Sequence, residues 1–215
     1  MMNTSKIRET ERTRQKRGQI LDAARTLFLS RGYARTSTEA VRREAGVSKE
    51  TLYRYYRTKE ELFADVLRRL TLEHLHQPFR ADEKLSPDAD SKQLQKIVRR
   101  LAGEIIETMM QPDYLALLRV VIAESDRFPH LGELFRKTVP EQGIASIVEL
   151  LRRLRKKGLA AEIDAEAAAR MLLGSLLTYA LMDGILNSES EQPPHPPAPK
   201  RIQAIADLFV RAVSE

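Results

Sequence analysis

The stretch Lys49 to Tyr55, KETLYRY, sets two cations, a carboxylate, a threonine and two tyrosines around a single leucine. Those side chains suit recognition of a nucleic acid. Lys and Arg reach guanine acceptors, a threonine methyl meets thymine, and tyrosine hydroxyls reach phosphates. Advancing by ~100° per residue, as a helix does, puts Leu52 and Tyr56 on one face, with Val47 beside them. Glu50, Thr51 and Arg54 fall on the opposite pole, while Tyr53 and Tyr55 stand on the two shoulders. The predicted element has a narrow apolar seam, which holds Tyr56 in the core, and a polar front of Lys49, Glu50, Thr51 and Arg54. So short a helix is a poor structure alone. It is sensible if its front enters a major groove, and the bland alternative is an amphipathic surface helix with no partner.

No other constellation offers chemistry. The chain has no P-loop, no G-x-G-x-x-G, no G-x-S-x-G and no metal-spaced cluster. His74 and His76 lie on opposite sides of any helix, and Glu104 and Glu107 share a face without an evident partner, so solvated faces are the default for both pairs. An enzyme, a metal site and a cofactor are therefore not expected. The absence of cysteine removes disulfides, thiolate zinc sites and thiol nucleophiles, and fits a reducing cytoplasm. Residues 1–60 hold 15 Lys/Arg against 7 Asp/Glu, a net +8, within a chain whose total is only +6. A basic first quarter on a near-neutral body points to a polyanion-binding module with something else behind it.

The elements that must position this front read as helices throughout. Ile20, Leu21, Ala24, Leu27 and Phe28 form one stripe that stops at Gly32. Thr36 and Glu39 have capping-box spacing, Gly46 closes the next helix, Ser48 can cap the third, and Thr58 with Glu61 starts a fourth. Further helical segments are predicted over 59–78, 91–110, 113–125, 131–157, 164–187 and 200–213, with Pro140 splitting or kinking the fourth of these. No alternating β-branched run appears, so the fold class is all-α. The first twenty residues lack the apolar core of a signal peptide. The longest apolar run, MLLGSLLTYALM from Met171 to Met182, is too short to span a bilayer. The Pro-rich EQPPHPPAP reads as a semi-rigid spacer before the last helix.

The run TSTEAVRREAGVSKETLYRYYRTKEEL resembles the DNA-binding domain of the TetR family of transcriptional regulators: a threonine pair opens the second helix, A-G-V-S makes the turn, T-L-Y-x-Y-Y lies on the recognition helix, and K-E-E-L starts the fourth. Upstream, AARTLFLSRGY resembles the end of that family's first helix, and the match covers roughly residues 14–63. The resemblance implies a helix-turn-helix domain over 1–58 and a helical effector-binding and dimerisation domain over 59–215. It places Thr36, Ser37, Tyr53, Tyr55 and Lys59 on phosphates, with Lys49, Glu50, Thr51 and Arg54 as base readers. Arg42 stands where many relatives have alanine; it either points out to the DNA backbone or loosens packing. The arm of Lys6, Arg8, Arg12, Arg14, Lys16 and Arg17 tracks phosphates or a minor groove, or is a solubilising tail.

The resemblance also implies a homodimer on a pseudo-palindromic double-stranded DNA operator, released by a small effector. The interface expected is 164–187 with 200–213, where Gly174 and Ser175 permit close helix approach. Asp183 belongs to that interface or to a pocket. The segment DYLALLRVVIAESDRFPHLGELF resembles one branch of these regulators, in which E-x-x-R-F-P ends a helix. Pocket candidates are Met109, Tyr114, Leu118, Ile122, Phe128, Ser175 and Tyr179, which favours a largely apolar or aromatic effector. A helical interaction bundle with no specific DNA target is the competing reading; it leaves the polar front of 49–55 unexplained.

Overall fold

The computed structural model describes the backbone of residues 4–72, 91–187 and 194–214, with side chains from residue 13 onward and not at 71–72. The described residues are helical with no strand: α1 Thr4–Arg31, α2 Thr38–Glu44, α3 Lys49–Tyr55, α4 Lys59–Leu72, α5 Ser91–Met109, α6 Pro112–Glu124, α7 Pro129–Thr138, α8 Pro140–Lys156, α9 Ala165–Tyr179 and α10 Pro199–Ser214. A π-helical turn, Ala180–Ile185, continues α9. The proline expected to split 131–157 does so, because Pro140 occupies the first turn of α8 and cannot continue α7. Among the described residues no helix is long and apolar enough to cross a membrane. His74 and His76 lie outside the described residues, as does part of the Pro-rich spacer.

Two compact units form, residues 1–69 with 116–135 and residues 70–115 with 136–215. This division differs from a boundary at residue 58, and aromatic packing explains why. Phe28 of α1 meets Phe63 of α4 edge-on at 5.0 Å, and Tyr33 meets both Phe63 at 5.2 Å and Phe128 at 5.4 Å. The start of α4 and the α6–α7 corner are thereby bound to the N-terminal helices. Such ring pairs add about 0.5–1.5 kcal/mol each beyond the area they bury.

In the first unit α1 begins at Thr4, so the basic arm is helical backbone. Arg17, read as a possible phosphate contact, is instead used internally. Its Nε donates to Tyr56 Oη at 3.1 Å and its Nη2 to Asp65 Oδ2 at 2.5 Å. Tyr56 also donates to Asp65 at 2.8 Å, which gives the hydroxyl of this buried ring a partner. Asp65, with a third partner in Arg68, is a buried polar node that no sequence motif reveals.

In the second unit α5, α8, α9 and α10 close around a core that includes Leu101, Ile106, Leu154, Leu172, Leu176 and Phe209. Arg99 of α5 grips Asp207 of α10 through two nitrogens at 2.7 and 2.6 Å, and Gln95 adds a third bond at 2.9 Å. Gly184 packs closely on Leu115: a Cβ there would lie 2.7 Å from Leu115 Cδ2, so that side chain would have to shift. The apolar run on α9 is buried on one side only, by Leu172, Leu176 and Ala180, while Met171 and Met182 remain 46% and 54% exposed.

Candidate nucleic-acid interface

The turn between α2 and α3 builds the site. Gly46 takes φ +61, a left-handed conformation that side chains resist, and lets the chain reverse after Ala45. Ser48 then caps α3, its Oγ accepting the Thr51 N–H at 3.1 Å. Val47, Leu52 and Tyr56 are buried, which fixes the rotation of α3 about its axis as the helical phase predicts. Lys49, Glu50, Tyr53 and Arg54 face solvent, and Thr51 and Tyr55 are half-buried on the flanks.

The front is held loosely. Arg54 lies 3.5 Å from Glu50 in a highly exposed i,i+4 pair, and Lys49 Nζ sits 6.0 Å from the Tyr53 ring centre. Exposed contacts of these kinds contribute at most about 1 kcal/mol, so both cations can leave for a stronger anion. The Thr51 hydroxyl contacts Ser48 Oγ at 2.8 Å.

Arg42 has partners within the fold. Its guanidinium bonds Glu39 through Nε at 3.0 Å and Nη2 at 2.7 Å, and its Nη1 donates to the Val47 carbonyl at 3.1 Å. It thus ties the start of α2 to the end of the turn. The Arg42 hydrogen bond also holds the Glu39 carboxyl below its usual range.

One expected phosphate contact is corrected, and a second has a partner within the fold. Thr36 is only 1% exposed, and its hydroxyl donates to the carbonyls of Leu27 at 3.1 Å and Gly32 at 2.8 Å. It closes the end of α1. The cap of α2 is the next residue, Ser37, whose Oγ accepts the Ala40 N–H at 3.1 Å. Lys59 is drawn inward, its ammonium 3.9 Å above the centre of the Tyr33 ring. Partial burial lowers its pKa, and the ring face attracts the ammonium. Thr58 does cap α4, accepting the Glu61 N–H at 3.2 Å, while the Glu61 carboxylate takes the Arg57 N–H at 2.7 Å.

The expected pocket residues are spread over both units. Phe128 belongs to the Tyr33 aromatic cluster of the first unit, Ile122 is 54% exposed, and Ser175 turns its hydroxyl onto the Met171 carbonyl at 2.7 Å. Tyr114 and Leu118 are buried on α6, and Met109 and Tyr179 pack against the core of the second unit. Among the described residues no group of His, Asp and Glu could hold a metal ion.

Comparison with known proteins agrees with this geometry. Residues 20–66 match the profile described as bacterial regulatory proteins, tetR family, and residues 92–213 match the C-terminal domain of AefR-like transcriptional repressors. The regulator TtgR of Pseudomonas putida is 24% identical over 181 residues, covering 83% of this chain and 82% of its own. A TetR-family regulator from Mesorhizobium loti is 28% identical, with a TM-score of 0.68 over 94% of this chain and 96% of its own. The flavonoid-responsive regulator FrrA is 27% identical, with a TM-score of 0.65 over 92% and 96%. Proteins of this kind are DNA-binding regulators rather than enzymes. With both profiles matched in order and the second spanning more than half of its length, the chain belongs to the TetR family of transcriptional regulators.

Proposed function

We propose that this regulator is a repressor that binds a pseudo-palindromic operator as a homodimer and is released by a small, largely apolar or aromatic effector. One observation carries the DNA reading. The short α3 is pinned by Leu52, Val47 and Tyr56 and turns Lys49, Glu50 and Arg54 outward with only weak partners of their own, with Thr51 half-buried beside them. Ser37, Tyr53 and Tyr55 flank that front as phosphate contacts. Arg42 serves the same surface by holding the α2–α3 turn.

The dimer reading rests on one face of the second unit. Met171, Gly174, Ser175, Thr178 and Met182 recur at helical spacing along α9 and its π-turn, and Ala204, Leu208 and Ala212 do so along α10. Most are exposed, and they are small or apolar, as close helix approach between copies requires. Asp183, exposed on the π-turn, belongs to this face. The effector reading rests on Met109, Tyr114 and Tyr179. FrrA's flavonoid response makes a planar aromatic a suitable first probe in a thermal-shift screen, because a ligand of the native state raises apparent stability. Repression and release are then a matter of linkage: an effector that favours one spacing of the two recognition helices weakens DNA by the free energy with which DNA weakens it.

The test is a fluorescence-anisotropy titration of duplexes from the region upstream of the chain's own gene, against shuffled duplexes, across salt. One upstream duplex binds at least about 10³-fold more tightly than its shuffled control. Log affinity falls linearly with log salt at a steep negative slope, because phosphate contacts release counterions. Equal affinity for every duplex contradicts the regulator reading and favours an interaction bundle.

A further inference from the structure

The carboxylate of Glu124, the last residue of α6, sits in a backbone site 91 residues away in the chain. Its Oε1 accepts the Tyr33 N–H at 2.7 Å and its Oε2 accepts the Ala34 N–H at 2.7 Å. Successive N–H groups aimed at one point make an anion-binding nest. This nest exists because Gly32 ends α1 with φ +79. The same glycine is needed for room, since a Cβ on it would lie 2.5 Å from Glu124 Oε1. Gly32 itself bonds back to the Phe28 carbonyl at 3.0 Å, and the next two amide hydrogens, those of Tyr33 and Ala34, turn to Glu124.

The nest leads directly into α2 and α3. The Tyr33 carbonyl accepts the Thr36 N–H at 3.1 Å, the Thr36 hydroxyl closes onto Leu27 and Gly32, and Ser37 starts α2. The turn 32–35 is thus fixed from one side by Thr36 and from the other by Glu124. Tyr33 holds the same place through its side chain. Its hydroxyl donates to Glu60 Oε1 at 2.8 Å and lies 3.3 Å from His130 Nε2, beside the rings of Phe28, Phe63 and Phe128.

We propose that Glu124 is a positioning residue for operator recognition: its carboxylate fixes the turn from which α2 starts and so sets where α2 and α3 stand on α1. It accounts for the glutamate of the E-x-x-R-F-P sequence, which the DNA front itself leaves without a role. The inference rests on the reading of α2 and α3 as the DNA-binding pair. Glutamine at 124 keeps the size, but its NH2 group meets one of the two amide hydrogens donor to donor. Alanine at 32 strains the left-handed backbone and displaces the carboxylate.

The test titrates the upstream and shuffled duplexes against wild type, Glu124→Gln and Gly32→Ala at one salt concentration. The temperature is one at which circular dichroism shows each protein fully helical, and amide hydrogen exchange at Tyr33 and Ala34 is measured alongside. Both variants lose about tenfold or more in upstream-duplex affinity, the scale of one lost bond to a charged acceptor. They keep the shuffled-duplex affinity, which depends on phosphate attraction, and exchange faster at 33 and 34. The isosteric glutamine variant decides the matter if Gly32→Ala does not fold. A glutamine variant that melts earlier yet retains wild-type discrimination between duplexes overturns the proposal, because Glu124 then only adds stability. A wild-type protein that fails to discriminate overturns the DNA reading itself.

Discussion

Leu208→Glu is expected to leave the fold intact, convert the dimer to a monomer, and weaken operator binding by on the order of 10²–10⁴-fold. The side chain is 58% exposed in a single chain, so the change removes little from the core of the protomer. Surface substitutions of that kind usually shift stability by within about 0.5 kcal/mol. In a twofold pair, however, each carboxylate enters an apolar face near its own copy. Burying unpaired like charges costs several kcal/mol. Loss of the dimer unlinks the two recognition helices, and the affinity gained by linking two sites, about 10²–10⁴-fold, goes with it. Sedimentation velocity and anisotropy on the same samples check both halves. A variant that stays dimeric shows that copies meet elsewhere.

Arg54→Ala carries the second large effect. Arg54 lies at the centre of the front, 65% exposed and weakly tied to Glu50, so alanine costs the free protein little. A bidentate arginine–guanine contact discriminates by about 1–3 kcal/mol, so operator affinity falls about 5- to 150-fold while shuffled duplexes lose far less. Tyr53→Phe behaves differently. Its hydroxyl stands on an exposed shoulder, and under the proposed phosphate role its loss weakens all sequences alike. Parallel titrations of both variants separate the roles, and equal uniform losses show that the base reader lies elsewhere on α3.

The parts of this structure that are legible in sequence are the local ones. The rotation of α3 comes from helical phase, the start of α3 from Ser48, and the break before α8 from Pro140, each a matter of a few neighbouring residues. The spacing of Thr36 and Glu39 matches a capping box and points to a cap of α2 one position too early. Burial beneath the Leu27 carbonyl decides otherwise, and spacing does not report burial. Contacts across long separations leave no periodic trace. Arg17 reaches Tyr56 and Asp65 across 39 and 48 residues, and Glu124 reaches Tyr33 across 91. Lys59 is legible as a cation beside the DNA front; the ring that holds it is not. Phase likewise tells which side of a helix faces inward without telling which neighbour it meets, so the place of Phe128 against Tyr33 is not legible in it.

The most direct measurement of the central claim, that two copies of α3 read adjacent major grooves, is hydroxyl-radical and methylation footprinting of the upstream duplex. Two protected patches related by a dyad are expected, with centres one helical turn apart, about 10–10.5 base pairs, or a whole multiple of that. Guanines within each patch are protected at N7 by wild type and exposed again with Arg54→Ala. A single unpaired patch, or protection spread evenly along the duplex with no guanine response to Arg54→Ala, contradicts it.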